Sequence, residues 1–370
     1  MRKDWEYKKF EECISKVPKT PKIQSSAYNQ GSKYPIISQE ENALISGFCD
    51  DESLLFHIER PVVIFGDHTR ALKYIDFDFA IGADGVKVIL PKAFLNAKFL
   101  LYYLKWYNIP NLGYSRHYKL LKEVFVPIPT TEKQLAIVAE LDKINELIQL
   151  KKQQLEDYDQ LAQSIFYEMF GDPVENEKGW EVKKLGEVCE VTSSKRIFAD
   201  DYVEKGIPFY RSKEVIEKSK NLPISVELFI TEEKYNNINK SYGVPQIDDI
   251  LITAVGTIGK IWKVNTIEPF YFKDGNIIWI RKYNEINSTY FKDSLYYLID
   301  EFKKVNANGA AYNALTIIKL KQMQVPLPPL PLQQQFAARI EAIERQKQQV
   351  SETIKDLETL LASRMQYWFD

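Results

Sequence analysis

Apolar positions recur at alternating steps of four and three residues in two long segments of the chain. In the first segment they are Ile137, Leu141, Ile144, Ile148, Leu155, Tyr158, Ala162, Ile165 and Met169. In the second they are Phe336, Ile340, Ile343, Val350, Ile354, Leu357, Leu361 and Trp368. Such a sustained heptad seam is typical of a coiled coil. We therefore predict two helices of about 38 residues, each about 57 Å long at 1.5 Å per residue.

The two segments are copies of one another, because residues 126–170 align with residues 325–369 without a gap. Each copy opens on Val-Pro-x-Pro and continues into the helical pattern. Identical pairs include Val126/Val325, Pro127/Pro326, Pro129/Pro328, Gln134/Gln333, Ala139/Ala338, Ile144/Ile343, Gln149/Gln348, Asp157/Asp356, Leu161/Leu360, Ser164/Ser363 and Phe170/Phe369. The copying extends upstream, where Trp5-Glu-Tyr-Lys-Lys resembles Trp180-Glu-Val-Lys-Lys. The sequence therefore predicts two domains of one fold.

Short β-branched and aromatic runs separated by Gly, Pro, Asn and Asp fill the region before each long helix, a pattern that predicts strands and turns. Strands are expected at residues 62–65, 86–90, 250–253, 260–264 and 276–281, and helices near 93–106 and 288–304. The predicted fold class is α+β. It consists of two similar domains with mainly antiparallel sheet, separated by two long antiparallel coiled-coil helices in a pseudo-two-fold internal repeat.

This layout divides the chain into five segments. A first domain occupies residues 1–125, and a second occupies residues 180–325. The central helix lies in residues 126–170 and the C-terminal helix in residues 326–370. A linker rich in Gly, Pro and charged residues, at 171–179, joins the central helix to the second domain. It is too short to let that domain move far from the end of the helix.

Composition narrows the class of protein. With 370 residues and 45% apolar content, the chain can bury two cores of ordinary size. The three cysteines fit neither a disulfide frame nor a zinc site, and the three histidines are scattered, so no metal site is expected. No apolar run suggests a membrane span or signal peptide, and a reducing cytoplasm is the expected location.

Charge is distributed unevenly although the net value is only -2. Residues 1–125 carry 18 Lys and Arg against 15 Asp and Glu, and residues 180–325 carry 21 against 19. Residues 126–179 carry 5 against 11. Acidic residues are thus concentrated on the first helix and linker, which weakly favours anion binding by the two domains.

Several motifs in a fixed order resemble the specificity (S) subunits of Type I restriction-modification systems, and the resemblance covers the whole chain. The motifs are Trp-Glu-Val-Lys-Lys-Leu-Gly-Glu-Val-Cys at 180–189, Asp-Ile-Leu-Ile-Thr-Ala-Val-Gly-Thr-Ile-Gly-Lys at 249–260, Phe-Gly-Asp-Pro at 170–173, and the two Val-Pro-x-Pro lead-ins to the long helices. The first domain departs from the pattern at residues 10–13 and 130–133.

The resemblance implies a DNA-binding subunit without catalytic activity of its own. Each of two target-recognition domains would read one half of a split double-stranded DNA site. The helices would space the domains and dock two modification (methyltransferase) subunits, with restriction (endonuclease/translocase) subunits as further possible partners. S-adenosylmethionine and ATP would then be bound by the partner subunits, and this chain would need no cofactor.

The residues themselves also give little support for catalysis. An amino-methyltransferase needs an Asn/Asp-Pro-Pro-aromatic tetrapeptide and a Gly-rich cofactor loop, and the chain contains neither. The run from Gly256 to Lys260 has two residues between its glycines where a phosphate-binding loop needs four. Asp172, Glu181 and Lys183 could be read as nuclease residues, but the twin segment at Glu6 lacks the aspartate.

Candidate DNA contacts are polar and cationic side chains in predicted loops, because such groups bind phosphates and base edges. In the first domain they are His68, Thr69, Arg70, Tyr114, Ser115, Arg116 and His117. In the second they are Lys195, Arg196, Arg211, Ser212, Lys213, Thr257, Lys260, Tyr312 and Asn313. Arg70 and Arg116 are favoured because bidentate guanine contacts need arginine, although Asp67 could pair with Arg70 instead. Solvated loop charges are the alternative for every residue of the set.

Apolar residues outside the heptad seam are candidates for partner binding. They are Leu135, Leu147, Leu161 and Leu332. A rival function remains open at this level, namely a scaffold without DNA binding whose duplicated domains bind other proteins. Divergent loops on a shared framework favour two DNA half-sites, whereas the near-neutral net charge slightly favours the scaffold.

Overall fold

The architecture is taken from a computed structural model, which describes residues 2, 4–31, 33–113, 115–283, 285–306 and 314–370. The chain forms two compact units. Unit 1 comprises Met1–Gln154 and Val350–Asp370, and unit 2 comprises Leu155–Gln349. Each of the two long helices therefore contributes one part to each unit.

Unit 1 has eleven strands among its described residues. They are β1 (Glu6–Lys9), β2 (Ile14–Ser15), β3 (Lys22–Ile23), β4 (Tyr34–Ile37), β5 (Gly47–Cys49), β6 (Leu55–Phe56), β7 (Val62–Gly66), β8 (Leu72–Ile75), β9 (Phe79–Gly82), β10 (Val86–Pro91) and β11 (Phe125–Ile128). Its helices are α1 (Phe10–Cys13), α2 (Ala97–Tyr107), α3 (Tyr118–Leu121) and the first part of α4 (Thr131–Phe170). Two short 3-10 turns lie at Ser25–Ala27 and Glu52–Leu54.

Three sheets organise unit 1. Strand β1 pairs antiparallel with β11, just before α4 begins. An antiparallel sheet of order β2-β10-β7-β8 packs against α2. A mixed sheet of order β3-β9-β4-β5, with β6 also on β9, completes the unit. The main core combines apolar residues of the second sheet and α2 with Ile137 and Leu141 of α4 and Phe369 near the C-terminus.

Unit 2 contains ten strands in its described part. They are β12 (Glu181–Lys184), β13 (Glu190–Thr192), β14 (Tyr202–Val203), β15 (Ile207–Tyr210), β16 (Phe229–Ile230), β17 (Ile250–Thr253), β18 (Ile261–Lys263), β19 (Tyr271–Phe272), β20 (Ile277–Arg281) and β21 (Gln324–Leu327). Its helices are α5 (Leu185–Val188), α6 (Ser212–Ser219), α7 (Glu232–Ser241), α8 (Ser288–Asn306), α9 (Ile317–Gln322) and the first part of α10 (Leu330–Phe369), with a 3-10 turn at Ala199–Asp201.

The two units repeat one topology. In unit 2, β12 pairs with β21, and the antiparallel sheet has the order β13-β20-β17-β18. These sheets correspond strand for strand to β1-β11 and β2-β10-β7-β8 of unit 1. The register is the same as well, since Glu6 lies opposite Ile128 and Glu181 lies opposite Leu327. The third sheets differ, because unit 2 has the order β14-β16-β15-β19. The predicted α+β internal repeat is thus confirmed.

The long helices run antiparallel within each unit. In unit 1, Glu140 accepts hydrogen bonds from Arg364 and from Trp368 Nε1, and Lys152 lies 3.2 Å from Glu358. In unit 2, the helix contacts include Lys347 Nζ to Asp159 Oδ1 at 2.7 Å and Phe170 against Phe336. The bond from Arg364 holds the pKa of the Glu140 carboxyl below its usual range.

The heptad prediction is confirmed for most of the seam, but it missed two aromatic residues at the end of α4. Phe166 and Phe170 are buried, whereas Ile165 and Met169 are only partly buried. Both phenylalanines contact Tyr290 of α8 and Phe336 of α10; the Phe166 ring is stacked on Tyr290, and the other three contacts are edge-to-face. The buried face of α4 is wider here because the helix packs on a domain as well as on a helix.

A buried glutamine fixes the start of each long helix. Gln134 Oε1 accepts the Asn96 N–H at 2.8 Å, and its Nε2 donates to the carbonyls of Phe94 and Pro129 at 2.9 Å. Gln333 Oε1 accepts the Asn287 N–H at 2.8 Å, and its Nε2 donates to Pro328 at 2.7 Å. The same side chain thus ties helix and domain together in both units.

Replacing either glutamine with leucine is expected to destabilise only the unit that contains it. Gln134→Leu leaves one N–H and two carbonyls unpaired, at a cost of about 1–3 kcal/mol for each buried group without a partner. Hydrogen exchange resolved by peptide should show faster opening of unit 1 in Gln134→Leu and of unit 2 in Gln333→Leu. Gln160→Leu, at an exposed position on α4, is the matched control. Equal acceleration of both units would contradict the assignment.

Candidate nucleic-acid interface

The two loops singled out in the first domain lie against each other. The turn after β7, residues 66–71, is closed by hydrogen bonds from Arg70 N to Gly66 O and from Gly66 N to Ala71 O, both 2.8 Å. The Asp67 carbonyl accepts the His117 N–H at 2.8 Å, and the Asp67 carboxyl accepts the Tyr118 N–H at 2.7 Å. The turn and the described residues of the 111–117 loop therefore lie against each other at His117 and Tyr118.

Cationic side chains gather around these loops. Lys22 lies in β3, Lys87 lies in β10, and Arg116 lies in the loop before α3. Partial burial, together with the positive charges of Lys87 and Arg116, lowers the pKa of Lys22. Lys87 Nζ lies 3.8 Å from Asp67 Oδ2, whereas exposed Arg116 has no hydrogen bond or ion pair to another residue in the described part of the chain. Arg116 is thus available to an outside partner.

The favoured Arg70 is held more tightly than Arg116. Its backbone is left-handed, with φ of 64°. Its guanidinium is half-buried and donates to the carbonyl of Ile109 at 2.9 Å. Arg70 makes this contact and not the alternative ion pair with Asp67, because the Asp67 carboxyl accepts from Tyr118 N and lies beside Lys87. Arg70 therefore braces the second loop.

His68, Thr69 and Ser115 are half-buried at the edge of the same surface. Thr69 Oγ1 donates to the carbonyl of Gln39 at 2.6 Å, and His68 N donates to the side-chain oxygen of Gln39 at 3.1 Å. Tyr114 lies outside the described residues.

His117 lies in the interior of unit 1 and not on its surface, contrary to the prediction that its side chain contacts DNA. It is 0% exposed. Its Nδ1 lies 3.0 Å from the Asp67 carbonyl, and its Nε2 accepts the Leu112 N–H at 3.0 Å. Both ring nitrogens are therefore used inside the protein, and the side chain holds the loop from within.

The equivalent turn of unit 2 follows β17. Ala254 N donates to Asn276 O at 2.8 Å, as Asp67 N donates to Gly85 O at 2.7 Å in unit 1. Thr257 is exposed at the tip, while Lys260 is half-buried, with its N–H donating to Thr253 Oγ1 at 3.0 Å. Tyr312 and Asn313 lie outside the described residues.

An open groove brings together other candidates in unit 2. It is lined by Tyr202, Arg211, Ser212, Lys213, Leu228, Lys273 and Asn276. Arg211 Nη2 lies 2.9 Å from both Glu214 Oε1 and Glu227 Oε2, and hydrogen bonding to Glu214 raises the pKa of Arg211. Lys213 Nζ also reaches Glu227, at 3.3 Å. The carboxylates offset part of the positive charge of the groove.

Two exposed cations follow β13. Arg196 Nε lies 2.9 Å from Asp274 Oδ2. The Lys195 ammonium lies 4.7 Å from the centre of the Tyr242 ring, and its N–H donates to Tyr271 Oη at 2.7 Å.

Sequence reasoning missed five residues of these surfaces. They are Lys22, Gln39 and Lys87 in unit 1 and Lys273 and Asn276 in unit 2. Each lies in or beside a strand that is distant in sequence from the loop it meets. Only the strand order places them there, although the Lys87 and Lys273 positions flank the repeated Asp-Gly motif.

The outward faces of the long helices carry exposed leucines. Leu135, Leu147 and Leu161 are exposed on α4, as the partner-binding prediction requires. Leu332 is instead half-buried against the core of unit 2, because it lies in the first turn of α10 beside the domain. Leu360 is 45% exposed and is the repeat counterpart of Leu161, which is 46% exposed. The prediction omitted this residue although the repeat identified it.

A family model described as the type I restriction modification DNA specificity domain matches residues 2–157 and 177–359. The chain belongs to this family of DNA specificity proteins. The family prediction made from the repeated motifs is thereby confirmed. No helix within the described ranges is both long and apolar enough to cross a membrane.

Relatives in two organisms are similar to this chain. A putative type I restriction enzyme specificity subunit of Haemophilus influenzae is 28% identical over 316 residues, which cover 79% of this chain and 76% of the relative. The specificity subunit of the type I restriction enzyme MjaIX from Methanocaldococcus jannaschii is 28% identical over 288 residues, covering 70% of this chain and 65% of the relative.

Solved structures share the fold. The type I restriction-modification S subunit from M. genitalium has a TM-score of 0.56 at 17% identity, covering 98% of this chain and 95% of that one. A chain from a structure on complex assembly and conformational transition of the type I R-M system has a TM-score of 0.58 at 19% identity, covering 100% and 98%.

Proposed function

We propose that this chain is the specificity subunit of a type I restriction-modification complex in which each unit reads one half of a bipartite DNA site. The observation that carries the proposal is the repetition of one framework with different side chains on equivalent loops. The turn after β7 carries Asp67, His68 and Arg70, whereas the turn after β17 carries Ala254 and Thr257. One framework with two sets of contacts suits two different half-sites.

The two kinds of DNA contact are assigned to different residues. Lys22 and Lys87 lie on or beside strands at the edge of the loop surface and suit phosphates, which position a protein without reading sequence. Arg116 lies on the loop itself, exposed and unpaired among the described residues, and suits a bidentate contact with guanine. In unit 2, Arg211, Lys213 and Lys273 line the groove and are proposed to take the phosphate role.

Catalysis is assigned to the partner subunits. Burial raises the pKa of the Cys13 thiol to about 11 and that of the Cys189 thiol to about 12, so neither thiol is ionised near neutral pH. S-adenosylmethionine and ATP are proposed to bind the modification and restriction subunits, and this chain supplies recognition alone.

Two modification subunits are proposed to dock on the long helices, one on each unit. Leu161 belongs to unit 2 and Leu360 to unit 1, and the two leucines occupy equivalent positions of the repeat. Leu135 and Leu147 lack apolar counterparts, since Gln334 and Gln346 occupy the equivalent positions of the second copy. The Leu161/Leu360 pair is therefore the best marker of a docking site present twice.

The base contact of Arg116 is tested by comparing Arg116→Ala with Arg116→Lys. Lysine keeps the charge but loses the planar fork that contacts guanine at two points. Both variants are expected to lose about 1–3 kcal/mol of binding free energy and to relax base preference at one position of one half-site. Binding to the selected site and to all single-base variants of it, at several salt concentrations, gives the measurement.

A phosphate contact at Arg116 would give a different result. Arg116→Lys would then retain most of the affinity. Arg116→Ala would weaken binding to all DNA sequences equally, and the slope of log affinity against log salt concentration would become smaller by about one. Lys119→Ala removes one positive charge from exposed residue 119 nearby and is the control for long-range charge effects. Unchanged binding in both Arg116 variants would contradict the proposed interface in unit 1.

A further inference from the structure

We propose that Asp67 and His117 are positioning residues that lock the two recognition loops of unit 1 into one arrangement before DNA binds. The inference rests on the proposed function, in which these loops contact one half-site. Both residues lie beneath the surface, with exposed fractions of 3% for Asp67 and 0% for His117. They act through the loops that they hold.

Four hydrogen bonds join the pair to the two loops. The Asp67 carbonyl accepts from the His117 N–H at 2.8 Å and faces His117 Nδ1 at 3.0 Å. The Asp67 carboxyl accepts from Tyr118 N at 2.7 Å, and His117 Nε2 accepts from Leu112 N at 3.0 Å. The turn at 66–71 is thus tied to His117 and Tyr118, and the His117 ring connects it to Leu112 at the other end of the loop that carries Arg116.

These bonds require one form of the histidine ring. A carbonyl can only accept, so His117 Nδ1 must carry the hydrogen that points to Asp67. Nε2 must then be the unprotonated nitrogen, because it faces a backbone N–H that can only donate. The neutral ring with hydrogen on Nδ1 satisfies both partners.

The arrangement has a direct consequence for Arg116. Arg116 lies between Leu112, which His117 holds, and Tyr118, which Asp67 holds. Arg70 adds a further brace by donating to Ile109 at 2.9 Å. A loop that is ordered before binding does not lose that conformational freedom on binding, which improves both affinity and discrimination.

Unit 2 joins its equivalent segments differently. Leu315 N donates to Ala254 O at 3.3 Å, one residue before the N-cap Thr316 of α9, whereas in unit 1 the donor is the N-cap His117 itself. Ala254 has no carboxylate to accept a bond as Asp67 does, and the Thr316 hydroxyl accepts from Lys319 N in its own helix, so these residues do not form the side-chain bonds found in unit 1. The Asp67–His117 lock therefore belongs to unit 1, and its loss should affect a single half-site.

The test compares His117→Ala with His117→Asn in the full chain assembled with modification subunits. Alanine removes both ring contacts, whereas the asparagine amide can still donate to the Asp67 carbonyl. We expect His117→Ala to reduce base discrimination by about tenfold per base pair across one half-site, within the range of a mismatch, and to leave the other half-site unchanged. His117→Asn should show a smaller loss. Selection from a randomised DNA library measures both.

Hydrogen exchange of the free chain gives a second readout, independent of DNA. The amide of Leu112 should exchange at least about tenfold faster in His117→Ala, because its buried acceptor is lost. Phe56→Leu, a change in a separate core cluster of unit 1, is the control for general destabilisation and should leave Leu112 protected.

Folded His117→Ala with unchanged preference at both half-sites, or with equal loss at both, would overturn the inference. If the unaltered chain selects no bipartite site, the proposed function fails instead. The exchange result then still decides whether the lock exists, and unchanged protection of Leu112 would reject it.

Discussion

Inserting one heptad into both long helices, after Gln149 and after Gln348, is expected to lengthen the spacer between the DNA half-sites by about three base pairs, at about 3.4 Å per base pair. Helices α4 and α10 each contribute to both units, and the division between units falls at Gln154 and Gln349, close to the insertion points. Seven residues add about 10 Å to a helix.

The heptad preserves the pairing of the helices. Seven residues at 3.6 per turn rotate the following residues by only about 20° from their original face. The bases of both half-sites should stay unchanged, because no recognition residue is altered. Three extra base pairs rotate one half-site by about 100° around the DNA axis, so domain tilt or DNA twist must absorb the difference and we expect a measurable loss of affinity.

An insertion of five residues at the same two points is the matched control. It rotates the seam by about 140° and should unpair the helices instead of lengthening the spacer. Sites selected from a randomised library give the spacer directly. A folded, active heptad variant with an unchanged spacer would mean that the helices do not set the distance.

Replacing both Leu161 and Leu360 with glutamate is expected to abolish binding of modification subunits. Each leucine is about half exposed and equivalent in the repeat. Burying an unpaired carboxylate in an apolar contact costs several kcal/mol, so each site should weaken by about 100-fold or more. The single variants should each bind one modification subunit, and the unaltered chain should bind two.

Native mass spectrometry at saturating modification subunit counts the bound copies. Leu44→Glu introduces the same charge at an exposed loop leucine and is the control, for which two bound copies are expected. Two copies on the double variant would move the docking site elsewhere, and one copy on the unaltered chain would contradict docking on each unit.

Local signals in the sequence were sufficient for the framework. The heptad seam, the Val-Pro-x-Pro lead-ins and the β-branched runs each depend on residues close in sequence, and they produced α4, α10, β7 and β17 nearly to the residue. The repeat then doubled every such signal. The correspondence of β2-β10-β7-β8 with β13-β20-β17-β18 is the result of that duplication.

The candidate interface was less predictable because it depends on strand order. Lys22 and Arg116 are 94 positions apart in sequence, yet the charge of Arg116 helps to lower the pKa of Lys22. The burial of His117 could not be read from a loop that otherwise looks solvated, since its partner is a backbone carbonyl 50 residues away. The near-neutral net charge slightly favoured a scaffold without DNA binding. The net charge does not show where cations lie, because carboxylates such as Glu227 are paired with cations inside the groove itself.

Whether the two units read a bipartite site is decided by selecting bound sites from random-sequence DNA with the unaltered chain assembled with modification subunits. We expect two blocks of specified bases separated by a fixed number of unspecified base pairs, with Arg116→Ala altering one block alone. A single uninterrupted block, or recovery of sequences with no shared bases, would contradict it.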